Sequence, residues 1–173
     1  MSPKEDAPNR KEQIIEAAAA LFAVNGYYKT TTADVAREVG VTQPYVFHFF
    51  KTKEALYLAV LEHATMRILH AFTTAEAPPD QLKKQMALAF NELLARHRNE
   101  TLLVMTAFAT PEPAVRDYVR QEFDRVYERV KARFEAAGLA NADALASQFF
   151  AQGMLCTLAE SINLPKLLPR DNW

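Results

Sequence analysis

The pattern of apolar and polar positions predicts helices along nearly the whole chain. Apolar side chains recur at helical spacing, three, four and seven residues apart. The first such stripe consists of Ile14, Ile15, Ala18, Leu21 and Phe22. Only four of the 173 residues are glycine, and the prolines gather at the ends of apolar segments. Because both residue types disfavour helix interiors, this usage favours an all-α fold.

Signals for helix ends divide the pattern into separate helices. Asn9 can cap the first helix, which Asn25 and Gly26 end, and two short helices follow. A long helix is predicted from Lys53 to about Thr74. Beyond it the pattern predicts a helix that Asp80 caps and that ends near Arg98, a short apolar segment at 101–109, an amphipathic helix at 114–137 and a last helix at about 143–163.

The two short helices are joined by a tight corner. Thr31 and Asp34 have the spacing of a capping box, and Gly40 suits the end of the first short helix because glycine takes positive φ easily. Thr42 can cap the second, with Pro44 in its first turn. Two helices joined by a glycine-containing turn form the helix-turn-helix of DNA-binding proteins.

The second short helix must divide its side chains between packing inward and facing outward. Helical spacing places Val46 and either Phe49 or Phe50 inward. The outward set is then Gln43, Tyr45, Phe47 and His48. Exposed aromatic side chains mark a contact surface, and a glutamine in the first turn of such a helix can pair with adenine in the major groove. The alternative, an ordinary corner with core aromatics, leaves this outward set unexplained.

Charge alone does not predict a nucleic-acid-binding protein, because the net charge is only −1. The prediction depends on where a few cations lie, since cations beside a groove bind phosphates. Those that can flank one groove face are Arg10, Lys11, Lys29, Arg37, Lys51 and Lys53.

A longer motif makes the resemblance to a known family specific. Residues 26–56 read G-Y-x-x-T-T-T-x-D-V-A-x-x-x-G-V-T-Q-P-x-V-F-x-F-F-K-T-K-E-x-L. This stretch resembles the DNA-binding head of TetR-family transcriptional regulators. The resemblance implies a three-helix, helix-turn-helix DNA-binding domain at residues 1–53 and a helical ligand-binding and dimerisation domain at residues 54–173.

The resemblance also implies site residues. Base contacts would come from Gln43, Pro44 and Tyr45, and phosphate contacts from Thr31, Thr32, Phe47, His48 and Lys53. Two positions depart from the family pattern. The family commonly has tyrosine at the positions held here by Phe47 or His48, so the phenolic hydroxyl is absent at Phe47, and with it a hydrogen bond to phosphate. Ala33 stands where some members carry a base-reading arginine, so that guanine contact is lost.

The last predicted helix is apolar nearly all round between Ala144 and Leu158. A helix of this kind must be buried on more than one side. We expect a partner subunit to supply the second cover, in a four-helix bundle across a two-fold axis. The residues predicted for this dimer interface are Phe149, Phe150, Gly153 and Met154.

Methionine and aromatic side chains in the second domain are adaptable linings of a ligand pocket, and they are also ordinary core residues. The candidates for pocket lining are Met66, Phe90, Met105, Phe108, Phe123 and Tyr127. Such a lining favours an apolar or amphipathic small-molecule effector over a sugar or a nucleotide.

Signatures of other classes are missing from the sequence. It has no glycine-rich phosphate loop, no G-x-S-x-G and no H-E-x-x-H, so no catalytic residue is predicted. Cys156 is the single cysteine, which excludes a disulfide framework and a cysteine-based metal site, and no cofactor is expected. No signal peptide or apolar run of about 18 residues is visible, so we expect a cytoplasmic protein without a membrane partner.

These expectations combine into one hypothesis and one alternative. The hypothesis is a homodimeric repressor that binds a palindromic operator in double-stranded DNA and is released by a small apolar or amphipathic effector. The alternative is an all-α dimeric small-molecule-binding or carrier protein, which would bind a ligand but form no sequence-specific DNA complex.

Overall fold

The computed structural model describes residues 10–168, and within them the chain is helical, without a strand. The predicted all-α class is confirmed. The helices are α1 (Arg10–Lys29), α2 (Thr32–Val39), α3 (Gln43–Phe49), α4 (Lys53–Thr74), α5 (Pro79–Arg96), α6 (Arg98–Thr106), α7 (Pro113–Ala136) and α8 (Ala142–Ser161), with 3₁₀ turns at Ala107–Ala109 and Pro165–Leu167. No helix in this part of the chain is long and apolar enough to cross a membrane.

The chain divides into two compact units, Met1–His63 and Ala64–Trp173. We call them the first unit and the second unit, and helix α4 begins in the one and ends in the other. The predicted boundary after residue 53 separates a DNA-binding domain from a ligand-binding and dimerisation domain. That division by function stays a prediction.

The first unit is built around α1, whose helical conformation is interrupted at Gly26 (φ 75°, ψ 170°), where the sequence places its end. The chain then turns back, and Tyr27 packs against Phe22 and Tyr57, with ring centroids 6.2 and 5.0 Å apart. The central core side chains of this unit are Ile14, Ala18, Phe22, Val35, Val46 and Leu56. The predicted cap at Asn9 lies outside the described residues.

The corner between α2 and α3 follows its local sequence signals. Thr31 and Asp34 make both hydrogen bonds of a capping box at the start of α2, and Gly40 ends this helix in the left-handed region at φ 70°. Thr42 occupies the cap position of α3, but only its backbone carbonyl accepts hydrogen bonds there, from the N–H groups of Tyr45 and Val46. The side chain of Thr42 makes no capping hydrogen bond, so that part of the prediction is wrong.

The second unit has an aromatic core between its long helices. Phe149 of α8 packs edge-on against Phe72 of α4 and Phe134 of α7, with centroids 5.1 and 6.1 Å apart. Phe90 of α5 lies 6.1 Å from Phe72. These rings tie four helices to one another, and those of Phe72, Phe90 and Phe149 border the cavity described below.

One helix start in the second unit differs from the prediction. Helix α5 begins at Pro79 with Pro78 as its cap, so Asp80 lies in the first turn and does not cap the helix. A proline suits the first helical position because its fixed φ fits the helix and its missing N–H would have no partner there. Asp80 still favours the helix, since a carboxylate in the first turn complements the helix dipole.

Candidate nucleic-acid interface

Helix α3 presents the side chains that the sequence assigns to its outer face. Val46 is fully buried and Phe50, just after the helix, is nearly so. Tyr45 and Phe47 are 40% and 37% exposed, which is high for large aromatic side chains. The exposed residues of α3 also include Gln43, Pro44 and His48. The predicted base-contacting residues therefore lie together on the surface of one short helix.

The aromatic side chains of α3 support one another. Phe49 is half-buried, and the rings of Tyr45 and His48 each contact it edge-on, with centroids 5.4 and 5.2 Å away. Because Phe49 rests beside Phe50 at 6.4 Å, the exposed rings are connected to the core of the first unit. This packing limits the rotamers available to Tyr45 and His48 before any partner binds.

Gln43 and Thr32 are joined across the corner. The side-chain Nε2 of Gln43 donates a hydrogen bond of 2.8 Å to Oγ1 of Thr32. Thr32 is only 5% exposed, whereas Gln43 is exposed. The hydroxyl of Thr32 is thus directed at the glutamine, and its predicted contact with a phosphate stays a prediction.

Thr31 is exposed, and its donors are engaged with Asp34. Its hydroxyl and its backbone N–H donate to Oδ2 of Asp34, at 2.7 and 3.0 Å. Arg37 donates to the other carboxylate oxygen at 2.6 Å. The hydrogen bond from Thr31, and after it the one from Arg37, hold the pKa of Asp34 below its ordinary value. A phosphate contact from Thr31 would have to compete with this carboxylate.

Lys53 lies at the start of α4 and is partly engaged within the first unit. Its ammonium donates to the backbone carbonyls of Tyr27 and Tyr28, at 3.1 and 3.5 Å, and lies 4.4 Å from the centroid of the Tyr27 ring. An ammonium has three donors, so one remains for a phosphate. Lys53 therefore has a structural role beside the predicted one.

The second unit contains a narrow apolar cavity of about 40 Å³. A single water takes about 10–15 Å³ by the same measure, so the space suits a few waters and no drug-sized molecule. Its main apolar lining residues are Ile68, Phe72, Phe90, Met105, Phe123, Phe149 and Phe150, and Gly153 also borders it. The side-chain hydroxyl at the cavity is that of Thr65, which accepts a hydrogen bond of 3.3 Å from Tyr118.

The cavity includes three of the six side chains predicted for a ligand pocket, namely Phe90, Met105 and Phe123. Met66 and Phe108 are exposed on the surface, and the hydroxyl of Tyr127 donates to Asp143. Desolvation and the hydrogen bond to Asp143 raise the pKa of Tyr127.

Sequence reasoning missed three lining residues of α4, Thr65, Ile68 and Phe72. Their spacing of three and then four residues places them on one helical face, and that signal could have found them.

Residues predicted for the dimer interface fall into two places. Phe149, Phe150 and Gly153 border the cavity, whereas Met154 lies in a separate surface groove of about 430 Å³. The groove is lined by Thr106, Phe108, Ala151, Met154, Leu155, Thr157, Leu158 and Ser161. Phe149 is buried within one chain, so the outer face of α8 is the one that carries Met154.

Arg67, His97 and Glu100 of the second unit form a polar cluster. Arg67 of α4 lies 2.5 Å from a carboxylate oxygen of Glu100 and 2.7 Å from Nδ1 of His97. Burial raises the pKa of the Cys156 thiol, which keeps it protonated at neutral pH. Within residues 10–168, no three His, Cys, Asp or Glu side chains are grouped as a metal site requires.

Comparison with known proteins decides the family. Residues 14–60 match the family described as bacterial regulatory proteins, tetR family. The chain belongs to the TetR family of transcriptional regulators. Over 128 residues it is 30% identical to the uncharacterized HTH-type transcriptional regulator YerO of Bacillus subtilis. This alignment covers 68% of this chain and 44% of YerO. The aligned part spans about half or less of the length of the first curated relatives.

Solved structures show that the TetR-family fold extends over both units. A TetR transcriptional regulator from Legionella pneumophila aligns with a TM-score of 0.76 and 20% identity, over 94% of this chain and 92% of the other. AibR, crystallised in complex with isovaleryl coenzyme A and operator DNA, aligns with a TM-score of 0.69 and 18% identity, over 92% of this chain and 98% of AibR. At these identities the likeness concerns the fold alone.

Proposed function

We propose that this chain acts in the cytoplasm as a homodimeric transcriptional repressor, which binds a palindromic operator and is released from it by a small ligand. The observation that carries the proposal is the surface of α3. It exposes a glutamine and three aromatic-type side chains while Val46 anchors the helix from below. If the chain were a carrier protein, this exposed surface would have no function. Membership of a family of transcriptional regulators counts against the carrier alternative.

Gln43, Pro44 and Tyr45 face base edges in the major groove in this proposal. They occupy the first turn of α3, which is the part of a recognition helix that meets base edges. A glutamine amide offers one donor and one acceptor to the N7 and N6 groups of adenine. Thr31, Phe47, His48 and Lys53 would then lie near the phosphates on either side, where contacts set orientation more than sequence. Thr32, the fifth residue predicted for phosphate contact, accepts a hydrogen bond from Gln43 and would support the base contact instead.

Two copies of the chain would associate through α7 and the outer face of α8. The groove beside Phe108, Met154 and Leu158 is apolar and exposed, and a second copy placed across a two-fold axis covers it with the same surface. A two-fold dimer carries two copies of α3, which would enter successive major grooves about 34 Å apart. This arrangement is why the expected operator is palindromic.

The apolar cavity is the proposed effector site. A drug-sized ligand needs several hundred cubic ångströms, so it would have to push apart the rings of Phe72, Phe90 and Phe149. Phe72 and Ile68 belong to α4, the helix that begins directly after the helix-turn-helix. A ligand that binds an altered α4 more tightly would shift the population away from the DNA-binding state. AibR, a protein of the same fold, has been crystallised in complex with isovaleryl coenzyme A and operator DNA, which supports a site for a small ligand and a site for DNA in one chain of this fold.

The test is selection of bound duplexes from a random DNA pool, followed by titration of the recovered sites across salt concentrations. We expect a palindrome to be enriched and its affinity to fall steeply with salt, because phosphate contacts release counterions. A Gln43→Ala/Tyr45→Ala double variant is the matched control, since it removes exposed side chains only. Recovery of no preferred sequence by a folded, dimeric protein would reject the proposal in favour of the carrier.

A further inference from the structure

The geometry points to Thr32 as a positioning residue for DNA specificity. Its hydroxyl oxygen holds the side-chain amide of Gln43 in the orientation in which that amide reads a base. The inference rests on the proposed function, because it concerns how the α3 surface discriminates among sequences.

The two residues occupy matching places in the corner. Thr32 is the first residue of α2 and Gln43 is the first residue of α3, and the 2.8 Å hydrogen bond joins them across eleven positions of sequence. The capping box of Thr31 and Asp34 fixes the start of α2, and with it the backbone from which the side chain of Thr32 projects. Gln43 lies above it on the exposed surface.

The chemistry of the amide makes this contact selective. A glutamine amide has two N–H donors and one carbonyl acceptor. Adenine is read by the carbonyl oxygen together with the N–H on the same edge of the amide. The other N–H points away from that edge, and an acceptor on the protein can bind it without competing with the base. An amide held in this way presents one fixed order of donor and acceptor.

Loss of the Thr32 hydroxyl would leave the glutamine free to rotate. A long flexible side chain loses rotamer freedom on binding, and a rotated amide presents donor and acceptor in the opposite order. The first effect weakens the adenine contact, and the second allows other bases to be accepted. Both effects fall on one base pair in each half-site and leave the phosphate contacts as they are.

A phosphate-binding role for Thr32 predicts a different result. A lost phosphate contact weakens binding to all sequences by a similar factor and reduces the salt slope by about one per site. The 5% exposure of Thr32 disfavours this role, because a phosphate oxygen would have to reach a hydroxyl that lies beneath Gln43.

The experiment measures affinities of the full chain for its selected operator and for every single-base-pair change in one half-site, at two salt concentrations. The variants are Thr32→Val, which keeps the shape and loses the hydroxyl, Thr32→Ala, Thr32→Ser, which keeps the hydroxyl, and Gln43→Ala. Circular dichroism and thermal unfolding establish which variants are folded. Thr32→Ala is included because it lacks the hydroxyl and adds no methyl group at a buried position.

We expect Thr32→Val and Thr32→Ala, where they fold, to lose about tenfold discrimination between bases at one base pair. This base pair should be the one at which Gln43→Ala loses discrimination, and no other position should change. Thr32→Ser should retain that discrimination. Combining either hydroxyl-deleting change with Gln43→Ala should add no further loss, because the two residues act through one contact.

Retained discrimination in both hydroxyl-deleting variants would overturn the inference, and so would a uniform loss with a smaller salt slope. A wild-type chain that selects no sequence would instead overturn the proposed function. Discrimination lost in Gln43→Ala but kept in the Thr32 variants would overturn this inference alone.

Discussion

Helices α3 and α8 both expose apolar side chains, but different interactions fix the position of each helix. Helix α3 has seven residues, and its ends are set by Thr42, Pro44 and the corner beside it. Helix α8 has 20 residues and is apolar on most sides, so its position depends on packing against distant parts of the chain. A short helix is fixed by local signals, whereas a long apolar one is fixed by whatever covers each of its faces.

The role of an exposed apolar residue on α3 or α8 depends on the side chains beside it. On α3 the exposed rings rest on Phe49 and stand beside a glutamine, a mixed surface that suits base edges and sugars. On α8 the exposed Leu158 and the half-buried Met154 line an apolar groove, which suits another apolar surface. We therefore expect a charged substitution to abolish association at α8, and a truncation to change specificity at α3.

The largest effect should come from Leu158→Glu. Leu158 is 49% exposed and lines the groove, and a two-fold interface contains it twice. Loss of two buried leucines costs about 3 kcal/mol or more, so the dimer dissociation constant should rise at least about 100-fold. Sedimentation of the purified chain measures this change, and operator affinity should fall with it.

Leu88→Glu is the matched control for that experiment. Leu88 is 43% exposed on α5 and lines neither the groove nor the cavity. An equal loss of dimer in both variants, or a dimer that survives Leu158→Glu, would show that the groove on α8 is not the interface.

A smaller effect should come from replacing glycine by alanine in the two regions. Gly40 after α2 has φ 70°, and a Cβ there would meet nothing within 4 Å, so Gly40→Ala should cost about 1 kcal/mol of unfolding free energy through backbone strain alone. Gly153 lies inside α8, where a Cβ would make ordinary contact with Met105 at 3.9 Å. Gly153→Ala should therefore stabilise the chain by about 0.5–1 kcal/mol.

Urea unfolding of the wild type and the two alanine variants measures both changes in unfolding free energy. The same substitution should move the midpoint in opposite directions. A stabilising Gly40→Ala would contradict the assignment of Gly40 to a left-handed helix end.

The smallest effect should be the pH dependence that Asp34 gives to the first unit. Its pKa is lowered in the folded chain, chiefly by the hydrogen bond from Thr31, so its stabilising contribution is present above the ordinary value of 3.8 and is lost as the pH falls through the folded value. Asp34→Asn should flatten the dependence of the melting temperature on pH below about pH 4. Asp124→Asn on α7 serves as the control, and equal slopes in the wild type and Asp34→Asn would contradict the prediction.

The sequence was sufficient where a feature depends on neighbouring residues. The capping box at Thr31, the left-handed end at Gly40 and the bounds of α4 follow from signals a few residues long. The family motif lies in the same stretch, because the corner and the surface of α3 are both encoded there. The exceptions are also local: Thr42 caps with its backbone only, and Pro79 starts α5 one residue before Asp80.

Features that depend on distant residues could not be predicted to the residue. Periodicity places Met66 and Ile68 on the same helix, but only packing with α6, α7 and α8 decides that Ile68 borders the cavity. For the same reason the sequence pattern predicts Phe149 at a dimer interface, whereas its ring packs against Phe72 within one chain. The Thr32–Gln43 hydrogen bond also needs the corner geometry, since the two residues lie eleven positions apart.

The most direct test of the account is the ratio of affinities for the selected operator and a scrambled duplex, measured for the wild type, Gln43→Ala and Lys51→Ala at several salt concentrations. We predict that Gln43→Ala loses about 1–3 kcal/mol of discrimination at one base pair in each half-site and keeps the salt slope. Lys51→Ala, which removes an exposed cation, should weaken both duplexes alike and reduce the slope. Equal losses on operator and scrambled DNA for Gln43→Ala would contradict the claim that α3 reads the sequence.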